Sequence, residues 1–142
     1  MIEKGATVGN ATISLCIITI NGDGKYIRDY VHGADVAEAN RLAMETNLSK
    51  PFETFNIGMG IPTDVNQLAE IVFDLCQQKM IQAGSVTKLP GPVHGPERAG
   101  DLRSNLVDAS KAKEILGWKP AYDLNEGLKK TVEWFAGKVS GK

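Results

Sequence analysis

Three arginines and one aspartate carry the chemistry that this sequence can be read for before any fold is assumed. Arg28 follows a Gly22-Asp23-Gly24 turn, and Arg98, Asp101 and Arg103 cluster behind the stretch Pro90-Gly91-Pro92-Val93-His94-Gly95-Pro96. A guanidinium is a planar fork of donors that grips tetrahedral phosphate oxygens in pairs. An ionised aspartate only accepts, which suits sugar hydroxyls. Tyr30, two residues past Arg28, can set an apolar ring with a polar tip at the rim of such a site. Each has a plainer reading. Arg28 can pair with its neighbour Asp29, Arg98 and Asp101 can form a loop salt bridge of little worth at a surface, and Tyr30 can be a core tyrosine. Arg103 can also replace Arg98 as the phosphate partner.

Other chemistries find less support. His32 and His94 have no partner at metal-ligand spacing, so structural or solvent roles suit them and no metal site is expected. Cys16 and Cys76 lack paired spacing, which argues against a disulfide framework and a zinc site. Gly22-Asp23-Gly24 reads as a tight turn, because no helix is expected directly behind it to complete a phosphate cradle. Asn56 can bond the glycine turn that follows it, and Trp118 and Trp134 read as packing anchors. No residue presents itself as catalytic.

The chain that must position these groups has 142 residues, enough for one domain with a real core. Apolar residues at 42% against 23% charged ones place it with ordered globular proteins. Sixteen basic and seventeen acidic residues leave a net charge of -1, so no global field draws it to nucleic acid or an anionic membrane. The apolar stretch 11–20 contains Thr12, Ser14 and Thr19, is too short to span a bilayer, and lacks a cleavage-site pattern after it. A cytoplasmic protein without a membrane anchor is the expectation.

Residues 11–20 are rich in β-branched side chains and predict a strand, with a hairpin across 21–24 into a second extended stretch. Asp35 and Glu38 have capping-box spacing and predict a helix over 35–46, with Val36, Ala39 and Ala43 on one face. Residues 52–57 read as a strand. Asp64 and Gln67 repeat the capping pattern ahead of the stripe Val65, Leu68, Val72, Leu75 and Lys79, so a helix ends near Gln82. Residues 86–89 read as a brief strand, and the proline-rich loop after them as irregular. Asp108 or Ser110 can cap a short helix with Ala112, Ile115 and Leu116 inward and Gly117 as its stop. Asp123 and Glu126 open the last helix, with Leu124, Leu128, Val132 and Phe135 as its stripe; Gly127 costs that helix about 1 kcal/mol against alanine. The class is α/β (α+β), a small mixed sheet with about four helices.

Three blocks resemble the extended short-chain dehydrogenase/reductase family, in particular its NAD-dependent nucleotide-sugar epimerases and dehydratases of the UDP-glucose 4-epimerase type. They are Gly22-Asp23-Gly24-Lys25-Tyr26-Ile27-Arg28-Asp29-Tyr30-Val31-His32; Phe55-Asn56-Ile57-Gly58-Met59-Gly60 leading into Val65-Asn66-Gln67-Leu68; and Pro96-Glu97-Arg98-Ala99-Gly100-Asp101 leading into Asp108-Ala109-Ser110-Lys111-Ala112 and Leu116-Gly117-Trp118. They stand in the family's order over residues 21–136. The resemblance implies that Arg28 and Arg98 reach the substrate's diphosphate, that Tyr30 lies by the nucleotide, and that Asp101 contacts the ribose. It divides the chain into a divergent segment, 1–20, expected to be a strand, and an epimerase-like substrate-binding domain, 21–142.

The family also carries a glycine-rich turn that holds NAD and a Tyr-x-x-x-Lys pair whose tyrosine is the catalytic base. No tyrosine here has a lysine four residues on, and Gly58-Met59-Gly60 lacks the third glycine. The expectation is therefore a nucleotide-sugar-binding part that binds no NAD by itself, although NAD serves the full-length family, and that is inactive alone. In the family, the strand matching 52–57 joins the cofactor domain's sheet. With that sheet absent, self-association or rearrangement is expected to cover the edge, with the 11–20 strand as a candidate patch, and the expected partner is a second copy or a separate NAD-binding subunit that would supply the cofactor half. The alternative function is a truncated, non-catalytic oligomeric scaffold.

Overall fold

The capping pair at 64 and 67 closes as its spacing requires. In the computed structural model of the chain, which describes residues 6–8, 11–13 and 18–139, Asp64 Oδ1 accepts from the Gln67 amide at 2.8 Å. Gln67 Oε1 accepts in return from the Asp64 amide at 3.1 Å. Two otherwise orphaned donors are thereby satisfied. In chain order the described elements are β1 (Ala6–Val8), β2 (Ala11–Ile13), β3 (Thr19–Asn21), β4 (Ile27–Arg28), α1 (Gly33–Glu45) and β5 (Thr63–Asp64). They continue with α2 (Val65–Gln82), β6 (Val93–Gly95), β7 (Ser104–Asn105), α3 (Ser110–Leu116) and α4 (Leu124–Val139). The mixed α/β class with four helices holds among the described residues.

The first helix starts differently from its sequence signal. His32, not Asp35, caps α1: its Nδ1 accepts from the Ala34 amide at 3.2 Å and its carbonyl takes the amides of Asp35 and Val36. Asp35 is 2% exposed and accepts instead from the amides of Ala121 at 2.8 Å and Tyr122 at 3.3 Å. Trp118 Nε1 donates to the Asp35 carbonyl at 2.8 Å. A buried carboxylate needs donors, and a distant segment supplies them better than the helix's own first turn. Glu38 is left to pair with Arg41 at 2.7 Å.

Around that tie sits the core of Ala39, Ala112, Leu116 and Trp118, flanked by Val31, Leu42, Ala43, Leu48, Phe55, Ile57 and Ala109. Within α3, Ala112 and Leu116 face inward as expected while Ile115 stays exposed, and Gly117 ends the helix at φ 68°. Asp123 and Glu126 do form their box at α4, at 2.8 and 3.3 Å. Helix α4 packs along α2. Its Gly127 makes room for His32 at the head of α1, since a Cβ would lie 3.2 Å from the His32 ring. Trp134 is not the expected anchor: it is 59% exposed, edge-on to the equally exposed Phe135. No described helix is long and apolar enough to cross a membrane.

The strands correct the sequence reading most. The hairpin across 21–24 does not form, because β3 pairs in parallel with β6, and β4 pairs antiparallel with β5 and in parallel with β7. Strand β6 thus arises inside the proline-rich loop expected to be irregular, where Val93 carries the amide that proline lacks and donates it to the Ile18 carbonyl at 2.9 Å. Of the strand expected over 11–20, β2 pairs with β1 and β3 with β6, so neither covers 52–57; residues 14–17 lie outside the described ones. Residues 52–57 and 86–89 are not strands. No described strand offers 52–57 a ladder, and at 86–89 the Gln77 amide takes the ladder's place, donating to Thr87 O at 3.2 Å and accepting from Leu89 N at 2.8 Å.

Candidate functional site

Strand β4 brings together what the sequence separates. Arg28 stands opposite Thr63 on one side and Asn105 on the other. Its Nη1 donates to the carbonyls of Ile27 at 2.8 Å and Leu102 at 2.7 Å, and its Nη2 lies 3.9 Å from Asp101 Oδ1. That last separation is Coulombic attraction without a hydrogen bond, so the Nη2 protons keep room for another acceptor. The pairing of Arg28 with Asp29 does not occur. Asp29 accepts from the amides of Met59 at 2.7 Å, Gly60 at 3.0 Å and Val107 at 3.3 Å, tying two loops to β4. The approach is close: a Cβ on Gly58 would fall 2.6 Å from Asp29 Oδ2 and 2.3 Å from Val107 Cγ2. Asn56, expected to bond this turn, is exposed, and Asp29 has taken the task.

Arg98 begins the turn whose far end is Asp101, with the Asp101 amide on the Arg98 carbonyl at 3.4 Å. Its side chain is exposed and has no ion pair or hydrogen bond among the described residues. Arg103, the alternative phosphate partner, is already engaged. Its Nη1 and Nη2 each lie 3.0 Å from an oxygen of Asp23, and its guanidinium sits 4.8 Å from the centroid of the Tyr26 ring. The fork on Asp23, together with the Lys25 amide, lowers the Asp23 carboxyl to about 2.

Tyr30 lies two residues along from Arg28 and lines a half-open cleft of about 160 Å³ with His32, Leu68, Tyr122 and Leu128. Burial pushes its phenol up, against the opposing pull of the Arg28 charge. The structure therefore joins Arg28 to Asp101 and holds Arg98 three residues away on the same loop, while Tyr30 lines a cleft to which none of those three contributes. The Gly22-Asp23-Gly24 turn does meet a helix, though one reached through space. The Gly24 carbonyl accepts from the first amides of α2, Val65 at 3.0 Å and Asn66 at 3.3 Å. Only glycine serves at 24, where φ is +69° and a Cβ would lie 2.0 Å from Asn66 Oδ1.

Two participants escaped the sequence reading. Tyr26 is 4% exposed, and its hydroxyl donates to Glu97, the residue before Arg98. Both stand inside the motif blocks, which was the only signal pointing to them. His94 Nδ1 lies 2.7 Å from the Gly22 carbonyl and strengthens the same junction.

Residues 6–131 match the family model described as GDP-mannose 4,6 dehydratase. The chain is 36% identical to a UDP-glucose 4-epimerase of Mycolicibacterium smegmatis over 84% of its own length and 34% of the relative's. A crystal structure of UDP-glucose 4-epimerase with UDP-glucose from Thermotoga maritima is 44% identical, with a TM-score of 0.72, over 87% of this chain and 36% of that one. The Bifidobacterium longum UDP-glucose 4-epimerase, solved with NAD+ and UDP, shares the fold at 23% identity and a TM-score of 0.72, over 91% of this chain and 37% of that one. The chain thus spans about a third of the length of the relatives it matches.

Proposed function

The chain belongs to the GDP-mannose 4,6 dehydratase family, and from that premise we propose that it grips the nucleoside diphosphate of a nucleotide sugar. Arg28 Nη2 and the unpaired Arg98 guanidinium bind diphosphate oxygens, Asp101 accepts from a ribose hydroxyl, and Tyr30 borders the nucleoside at its cleft. The supporting observation is the approach of Arg28 to Asp101, 3.9 Å across a gap of more than seventy residues in sequence. An acceptor near a fork that still has free donors suits a ligand carrying phosphate next to hydroxyls. The relative solved with UDP-glucose points to the UDP- or NDP-hexose class. A cytoplasmic setting belongs to the same reading and rests on the sequence alone.

NAD, which the Bifidobacterium relative holds, does not fit the described residues. A dinucleotide pyrophosphate is held by free amides at a glycine turn and a helix start. Here the Met59 and Gly60 amides serve Asp29, and Gly24 and Asp64 occupy the start of α2. His32 and Asp123 cap α1 and α4, whereas α3 starts at Ala109 with no side-chain cap, contrary to the expectation for Asp108 or Ser110; Asp108 only accepts from the Ser110 amide at 2.8 Å. No hydride step follows from the described residues, and the proposed role is binding. Calorimetric titration with UDP and UDP-glucose should give saturable heat, NAD none, and Arg98→Ala should weaken UDP by about tenfold, the worth of a charge-assisted hydrogen bond. Absence of heat with both uridine ligands would overturn the reading.

A second reading, a non-catalytic oligomer, has its own support. Met44 and Phe52 are each 80% exposed, and 52–57 has no ladder among the described strands. Sedimentation should then show a dimer or larger species, and a clean monomer at micromolar concentration would remove it.

A further inference from the structure

We propose that Tyr26 and Arg103 are positioning residues, which hold the loop of Arg98 and Asp101 in register with Arg28 through the chain Asp23, Arg103, Tyr26 and Glu97. The inference rests on the nucleoside-diphosphate reading above. Residues 96–106 are exposed along their whole length, and their ladder with β4 is two residues long. Backbone ties hold only the ends: Gly22 N donates to the carbonyls of Gly95 and Pro96, and Ile27 N donates to Arg103 O at 2.9 Å. The stretch between them carries both Arg98 and Asp101.

Side chains supply what the backbone lacks. Tyr26 is fixed by burial, and its hydroxyl takes hold of Glu97 where the exposed stretch begins. Where it ends, Arg28 holds the Leu102 carbonyl and Arg103 forks onto Asp23 at 3.0 Å twice. The Tyr26 ring lies 4.8 Å from the Arg103 guanidinium and 5.9 Å from that of Arg28, so one buried ring stands beside both cations. Asp23 neutralises the first of them, which leaves Arg28 as the cation facing Asp101. Half-exposed ion pairs of this kind contribute little to stability, so the worth of this one lies in geometry.

The test uses the full chain with Tyr26→Phe, Glu97→Ala and Glu97→Gln, reading UDP affinity by calorimetry and amide exchange over residues 97–102. Tyr26→Phe and Glu97→Ala should each weaken UDP by about fivefold, as loss of one hydrogen bond does, and speed exchange in that stretch. The double variant Tyr26→Phe/Glu97→Ala should be no weaker than either single one. Glu97→Gln keeps an acceptor for the Tyr26 hydroxyl and should restore both readouts, which a general loss of folding would not allow. Exchange unchanged in Tyr26→Phe, or Glu97→Gln as damaging as Glu97→Ala, would overturn the proposal. Should the parent chain give no heat with UDP, the nucleotide reading falls, and the exchange data still decide on the tie.

Discussion

Arg28 and Arg103 carry the same guanidinium and are employed differently because of their neighbours. Arg103 spends its fork on Asp23, whereas Arg28 spends one nitrogen on backbone carbonyls and keeps the other open toward Asp101. The sequence offered Arg98 and Arg103 as interchangeable phosphate partners, since nothing within a few residues of either shows where Asp23 will lie. The Arg103 contact has a signature in acid. Asp23 falls from 3.8 to about 2, and a carboxyl depressed on folding contributes stability that is complete above 3.8 and lost as pH falls through about 2. Because the pair is exposed, the melting-temperature gap between the parent and Asp23→Asn should be small, constant above 3.8, and shrink toward zero near pH 2. A gap that persists unchanged into that acid range would contradict the assignment.

Elements were legible where their signals are local. The boxes at Asp64 and Asp123 and the stop at Gly117 need partners within a few residues, and they form. Asp35 shows the limit: its spacing to Glu38 is that of a cap, but the amides it serves are on Ala121 and Tyr122, a tertiary choice hidden from any local pattern. Strands are least legible, because those described run two or three residues and owe their existence to a partner elsewhere, as β6 does to β3. Helix α3 joins α1 through a small core, so Leu116→Ala should cost about 2–5 kcal/mol in urea or thermal unfolding. A loss below the cost of an ordinary surface change would mean that this packing is not what holds the two helices.

For the whole molecule, three ordered blocks made the family legible, and the match over residues 6–131 agrees. Activity is a separate matter, since the chain spans about a third of its relatives and the starts of α2 and α4 are occupied by its own caps. The proposed binding requires Arg28 and Arg98 to grip one diphosphate. Its most direct test is calorimetric titration of UDP into the parent, Arg98→Ala, Arg28→Lys and, as an equal loss of charge on α3, Lys113→Ala. One saturable site per chain is expected, weakened by about tenfold in the two arginine variants and unchanged in Lys113→Ala. Equal weakening in all three variants, or none in Arg98→Ala, would contradict it.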